Sequence, residues 1–277
     1  MKMHQFIDLS IFPQEMIKTH KLFNLWLTLF GSAFLLFSLP SFCETKIAFI
    51  DTGFCPKLLG KPAIKINPAI DLTQTVSIDC NRKTINLLDS RYHGQMVLLE
   101  FLKFFKPKNP SDFSIYPLIA FDKNGNQKKE YWQNAIKWIE ENNINIVISA
   151  AGFQTTEKFL SKLPATWFVS SGRVGGGITN ETKLFPQFLA PLDNLFIIGD
   201  YYDGRIVLYD QGLIYQDKID YSFPSGLKGF KGTSRSVAEA AARAIMLCSP
   251  TNMRECLKAK SKVYRDTLSK RDITTFE

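Results

Sequence analysis

The stretch Lys46-Ile47-Ala48-Phe49-Ile50-Asp51-Thr52-Gly53 sets four consecutive apolar residues before an acidic residue and a glycine. An unbroken apolar run this short predicts a strand covered on both faces, as in a parallel sheet. Comparable runs recur at Phe113 to Phe121, Ile144 to Gly152, Thr166 to Gly172, Leu195 to Gly199 and Arg205 to Tyr209. Between them the period changes. Val97, Leu98, Phe101 and Leu102 form a helical stripe, as do Trp132, Ala135, Ile136, Trp138 and Ile139. A third helix is predicted where Gly232-Thr233-Ser234 runs into the Ala-rich segment Val237 to Ala244. Residues 54–90 carry Pro56, Pro62 and Pro68 and read as loop with short strands. Strands alternating with helices imply an α/β fold: three layers, a mostly parallel sheet with helices on both faces. There is no internal repeat and no low-complexity linker, so residues 44–277 are expected to form a single domain.

The first 43 residues have a different pattern. Leu22 to Leu39 is an uncharged, mostly apolar run behind Lys18 and Lys21, and Pro40-Ser41-Phe42-Cys43 follows it. A basic lead, an apolar stretch and small residues at its end predict an export signal with cleavage after Cys43. The rival reading is an uncleaved anchor, since the run is close to the shortest that spans a bilayer. Phe42 argues against a lipid-modified Cys43. The chain is therefore expected outside the cytoplasm, periplasmic or secreted, and at a membrane only if the anchor is retained.

Composition sharpens this picture in two places. The net charge of +8 becomes +7 once Lys2, Lys18, Lys21, Asp8 and Glu15 are removed, and it is spread along the chain. That reads as solubility and argues against a nucleic-acid footprint, which clusters its Lys and Arg. Export also changes the meaning of Cys55, Cys80, Cys248 and Cys256, an even set expected to form disulfides. Closeness in sequence favours Cys55–Cys80 and Cys248–Cys256 among the three pairings. No Cys-x-x-Cys spacing occurs, so a zinc site is not expected. Asp122-Lys123-Asn124-Gly125-Asn126 alternates like a calcium loop but lacks the remaining ligands, and is read as a turn. Structural calcium thus has no supporting motif, and no cofactor is expected. Gly175, Gly176 and Gly177 follow a strand without a helix after them, which excludes a dinucleotide fingerprint.

Three residues carry candidate chemistry, each beside a plainer explanation. Asp51 ends a buried strand, where an acid caps a turn but where open α/β sheets also bind ligands. His93 opens a helix and is the only histidine after the leader, which holds His4 and His20. Ser234 opens another helix, where Ser and Thr commonly cap the first amides. A hydroxyl there also sits in positive potential beside N–H groups able to hold an oxyanion. Together they supply the residue types of a nucleophilic triad in the order Asp, His, Ser.

Ile-Asp-Thr-Gly at 50–53, His-Gly at 93–94 and Gly-Thr-Ser at 232–234 resemble the three motifs of subtilisin-like serine peptidases. The intervening unit 113–152, Phe185-Pro186, Gly199 and Phe223-Pro224-Ser225-Gly226 fall in the family's order, so the resemblance covers roughly residues 46–250. It implies a peptide or protein substrate, a monomer and acyl transfer. Ser234 would attack a carbonyl, His93 would move the proton and Asp51 would orient the ring. It further implies that Ala150-Ala151-Gly152 and Ser170-Ser171-Gly172 line the substrate cleft.

Two features depart from the family. The asparagine that completes its oxyanion hole is replaced by Arg173, leaving the Ser234 N–H, the Arg173 guanidinium and Asn180 as candidate donors. Cleavage after Cys43 would leave only Thr45 and Lys46 between Glu44 and Ile47, so no folding propeptide is expected. Three functions follow: an exported serine endopeptidase, a catalytically weak peptide-binding relative, or a non-peptide hydrolase using the same triad.

Overall fold

The first strand, β1 (Thr45–Asp51), shows how the sequence builds its layers. Side chains alternate along a strand. Ile47 and Phe49 therefore enter one core, while Ala48 and Ile50 enter another. The structure, a computed structural model, describes residues 44–75, 80–81, 86, 89–155, 162–173, 178–179, 181–202, 214–226, 229–266 and 272–277. The leader, the strand predicted at 205–209, the glycine loop 175–177 and Asn180 lie outside the described residues.

After β1 come the short β2 (Lys65–Ile66) and β3 (Ile70–Asp71), then helix α1 (His93–Phe104) and β4 (Phe113–Ile119). Helix α2 (Lys129–Glu141) leads to β5 (Ile146–Ser149), followed by β6 (Phe153–Gln154), β7 (Thr166–Ser170) and β8 (Leu184–Phe185). The chain continues through β9 (Leu195–Tyr201), β10 (Tyr221–Pro224), α3 (Thr233–Leu247), α4 (Met253–Lys260), β11 (Ser261–Arg265) and β12 (Asp272–Phe276). The main sheet runs β10-β9-β7-β5-β1-β4-β2, with β3 also on β4, and its described pairings are all parallel. Helices α1 and α3 cover the face carrying Ile47 and Phe49, and α2 covers the other. The expected three-layer α/β architecture is present.

The alanines of α3 explain its place. Ala238, Ala240, Ala241, Ala242 and Ala244 are fully buried, and such small side chains bring its backbone close to both the sheet and α1. The disulfides are Cys55–Cys80 and Cys248–Cys256, the pairing favoured by proximity. Asp122 closes its turn by accepting hydrogen bonds from the backbone N–H of Asn124 and Asn126, both at 2.9 Å.

Strands β10, β11 and β12 and helix α4 are less legible in the sequence. Strand β10, at one end of the sheet, contains Pro224, and an edge is where a strand proline is most readily placed. The β11–β12 hairpin packs on one face of β10: the Phe276 ring lies against Tyr221 and Phe223, each at 4.9 Å between ring centroids.

Candidate active site

Alternation along β1 puts Asp51 on the same face as Ile47 and Phe49, the face that α1 and α3 cover. In a parallel sheet the returning helices begin where the strands end. The first turns of α1 and α3 accordingly meet the end of β1, and these turns carry His93 and Ser234. Asp51 is buried, and its carboxylate faces His93 Nδ1 at 2.8 Å from Oδ1 and 3.0 Å from Oδ2. His93 Nε2 lies 3.1 Å from Ser234 Oγ. Residues separated by 42 and 141 positions in sequence thus form one hydrogen-bonded chain.

The neighbours of Asp51 hold it to α1. The backbone N–H of Thr52 donates to Asp51 Oδ1 at 2.7 Å, and Thr52 Oγ1 accepts from Gly94 N at 3.2 Å. Gly53 N donates to Arg91 O at 2.7 Å, and Gln95 N donates to Gly53 O at 3.1 Å. Gly94 leaves no room for a side chain. A Cβ there would lie 2.7 Å from the Phe54 ring and 2.9 Å from Asp51 Cβ. The Ile-Asp-Thr-Gly and His-Gly motifs are therefore two halves of one joint.

At α3 the plain capping reading fails. The cap position is Gly232, in the left-handed region at φ 90°, and no side chain caps the helix. Ser234 Oγ is engaged with His93 instead. Ser234 is the second residue of α3, where backbone N–H groups have no partner within the helix.

Burial pushes the His93 pKa down, but the Asp51 charge and hydrogen bond outweigh it and hold the ring above its usual value. The folded chain therefore favours the protonated imidazole. Its contribution to stability is complete below the unfolded value of about 6.5 and is lost as pH rises through the folded one. The edge of the Phe230 ring covers the imidazole, with centroids 5.4 Å apart.

The expected cleft residues divide into two kinds. Ala150, Ala151 and Gly152 are half-buried at the end of β5, and Gly172 is half-buried after β7. Ser170 and Ser171 are interior. Ser170 Oγ donates to Ala150 O at 3.0 Å, and Ser170 O accepts from Gln187 Nε2 at 2.9 Å, so Ser170 braces the two strand ends against each other.

Arg173 follows Gly172, whose φ of +78° turns the chain out of β7. Its guanidinium pairs with Asp200 on β9, a carboxylate with no exposed surface. Arg173 Nε lies 4.0 Å from where a Cβ would sit on Gly232, beside the turn that presents Ser234. Asp200 was not singled out from the sequence, although a charge at the end of the apolar run Leu195 to Gly199 is a signal for it. Its Oδ1 has no hydrogen-bond partner among the described residues. Burial raises the Asp200 pKa more than Arg173 lowers it. The pair therefore costs stability at neutral pH, and that cost shrinks as pH falls through the folded value toward that of an ordinary carboxylate. Replacing Arg173 by Met would leave the carboxylate alone. The expected loss is about 3 kcal/mol near neutral pH, the low end for breaking a buried pair because the arginine is partly exposed. It would be smaller at mildly acidic pH, as denaturation at the two values would check.

No protein-family model matches the sequence, and no curated protein matches it. Two of the solved structures similar in fold are proteases by name. One is the prenylagaramide maturation protease PagA, with a TM-score of 0.52 and 16% identity over 82% of this chain and 90% of that one. The other is a lanthipeptide protease, with a TM-score of 0.56 and 13% identity over 78% of this chain and 80% of that one. At such identities the likeness establishes the shared architecture alone.

Proposed function

We propose that this chain is an exported serine endopeptidase of the subtilisin-like type, acting on peptides through an acyl-enzyme. One observation carries the reading: the Asp51–His93–Ser234 chain of hydrogen bonds, at 2.8 and 3.1 Å, at the carboxyl edge of a parallel sheet. His93 takes the proton of Ser234 Oγ as that oxygen attacks a peptide carbonyl. The carbonyl oxygen becomes an oxyanion, held by the Ser234 N–H at the start of α3 and by the Arg173 guanidinium. Collapse of the intermediate breaks the C–N bond, and His93 returns its proton to the leaving amine. A water molecule activated by the same histidine then releases the acyl group. Asp51 fixes the ring tautomer and faces the imidazolium throughout.

Both of the structures of similar fold described above are named as proteases, which supports a peptide substrate. The disulfides fit an oxidising compartment and residues 1–43 as an export signal or anchor. Among the described residues no helix is long and apolar enough to cross a membrane.

Arg173 in place of an amide side chain favours a second reading, a cleft that binds peptide with little turnover. A fluorophosphonate probe separates the two. The full chain, produced with its own N-terminal segment, is expected to be labelled covalently, and Ser234→Ala is expected to abolish labelling. A folded, disulfide-intact protein that stays unlabelled would favour the binding reading.

A further inference from the structure

Directly behind Ser234 lies a buried group of charges that the proposed chemistry does not use. Arg235 Nε is 3.1 Å from Glu100 Oε1, and its Nη1 is 3.0 Å from Glu239 Oε2 while donating to the Pro224 carbonyl. Both carboxylates are about 95% buried, and only 14% of the Arg235 side chain is exposed. The Glu239 contact is one of charge, since that oxygen receives no directed hydrogen bond. Glu239 Oε1 accepts from Arg243 at 2.8 and 3.0 Å, and Lys103 reaches Glu100 from the surface. The Phe104 ring is 5.4 Å from the Arg235 guanidinium and 5.5 Å from that of Arg243.

The placement matters more than the number of contacts. Glu100 stands two turns after His93 on α1, which puts the two residues on one face of that helix. Arg235 is the residue after Ser234 on α3. A single guanidinium therefore joins the helix of the histidine, the helix of the serine and the end of β10. The apolar core under these two helices includes Val97, Leu98 and Phe101 of α1 and the alanines of α3. Apolar contacts of that kind are non-directional, whereas guanidinium–carboxylate contacts are directional. The loop before α3 is also shaped to the arginine. At Gly226, φ +82°, a Cβ would lie 2.7 Å from Arg235 Cδ.

We propose that Arg235, clamped by Glu100 and Glu239, is a positioning residue that sets the His93–Ser234 separation by fixing α1 against α3. The inference rests on the serine-peptidase reading, since the rate it governs is that of the Ser234 hydroxyl. It predicts a change in rate without an equal change in stability. The test is the second-order rate constant for fluorophosphonate labelling of the full chain, measured on folded protein.

Arg235→Met alone leaves Glu100 with only Lys103 and Glu239 with only Arg243, two partly exposed partners for buried carboxylates, and threatens the fold. The triple change Arg235→Met, Glu100→Met and Glu239→Met replaces the cluster by apolar side chains of similar size, which buried ion groups commonly tolerate. This variant is expected to melt no lower than the parent and to be labelled about 100-fold more slowly, the scale for a misplaced reacting pair. Labelling at the parent rate would overturn the proposal, since the cluster would then serve the fold only. If the triple variant does not fold, Arg235→Lys decides the matter. It keeps a charge in the same space but cannot bridge both carboxylates, and it is expected to be about 10-fold slower. An unchanged rate there would likewise overturn the proposal. A folded parent that is never labelled would remove the peptidase reading, and this inference with it; a labelled parent with an equally fast variant would remove this inference alone.

Discussion

Asp51→Asn is expected to lower kcat by about 10⁴-fold while leaving the fold intact, the scale known for this change in serine triads. The asparagine fits the same buried site, but its amide presents an N–H or a neutral oxygen to His93 Nδ1. The ring then loses both the charge that stabilises its protonated form and the contact that fixes its tautomer. Two measurements check this outcome: turnover of casein or labelling by a fluorophosphonate, and the pH dependence of either. In the parent the acid limb should lie above the usual histidine value, because the Asp51 charge overcomes the effect of burial. Without that charge only burial remains, and burial disfavours the imidazolium. The limb should therefore move to lower pH as the maximum rate falls. A rate loss with an unmoved limb would mean that Asp51 does not set the His93 charge.

Gly94→Ala is expected to cost about 100-fold in rate with KM little changed. The added methyl would stand 2.7 Å from Phe54 Cζ and 2.9 Å from Asp51 Cβ. Phe54 is buried and cannot swing out, so the strain must be relieved by moving the start of α1 away from β1. That motion carries His93 off Asp51 and loosens the Gly94 N to Thr52 Oγ1 bond. Stability should fall by about 1–3 kcal/mol, as for other overpacked sites. Circular dichroism and thermal melting would verify the fold, and steady-state kinetics would separate kcat from KM. A variant with wild-type kcat would show that the joint between β1 and α1 has slack that the packing does not suggest.

The three residues of the proposed site were legible because each carries a local signature. Asp51 interrupts an apolar strand, His93 begins a helical stripe, and Ser234 stands where Gly-Thr-Ser meets an alanine-rich helix. The strand-and-helix alternation likewise comes from local periodicity, which records which faces of each element are buried. The cysteine pairing was legible because each partner is the nearest in sequence.

Partnerships between distant residues have no such local trace. Arg173 could be flagged as an unusual residue at its position, but its engagement with Asp200 depends on β7 and β9 being neighbours in the sheet. Gln187 reaches Ser170 O only through the chain turning back after β8. Arg235 reads as an ordinary helix residue until α1 packs against α3 and brings Glu100 to it. The hairpin β11–β12 is marginal as an isolated unit and is held by the packing of Phe276 on Tyr221 and Phe223 of β10. Local pattern was enough for β1, β4, β5, β7, β9 and helices α1 to α3, their buried faces and the reactive groups at their ends. Which ends meet depends on strand order and helix packing, which are set by burial summed over the whole chain, and no single segment encodes that sum.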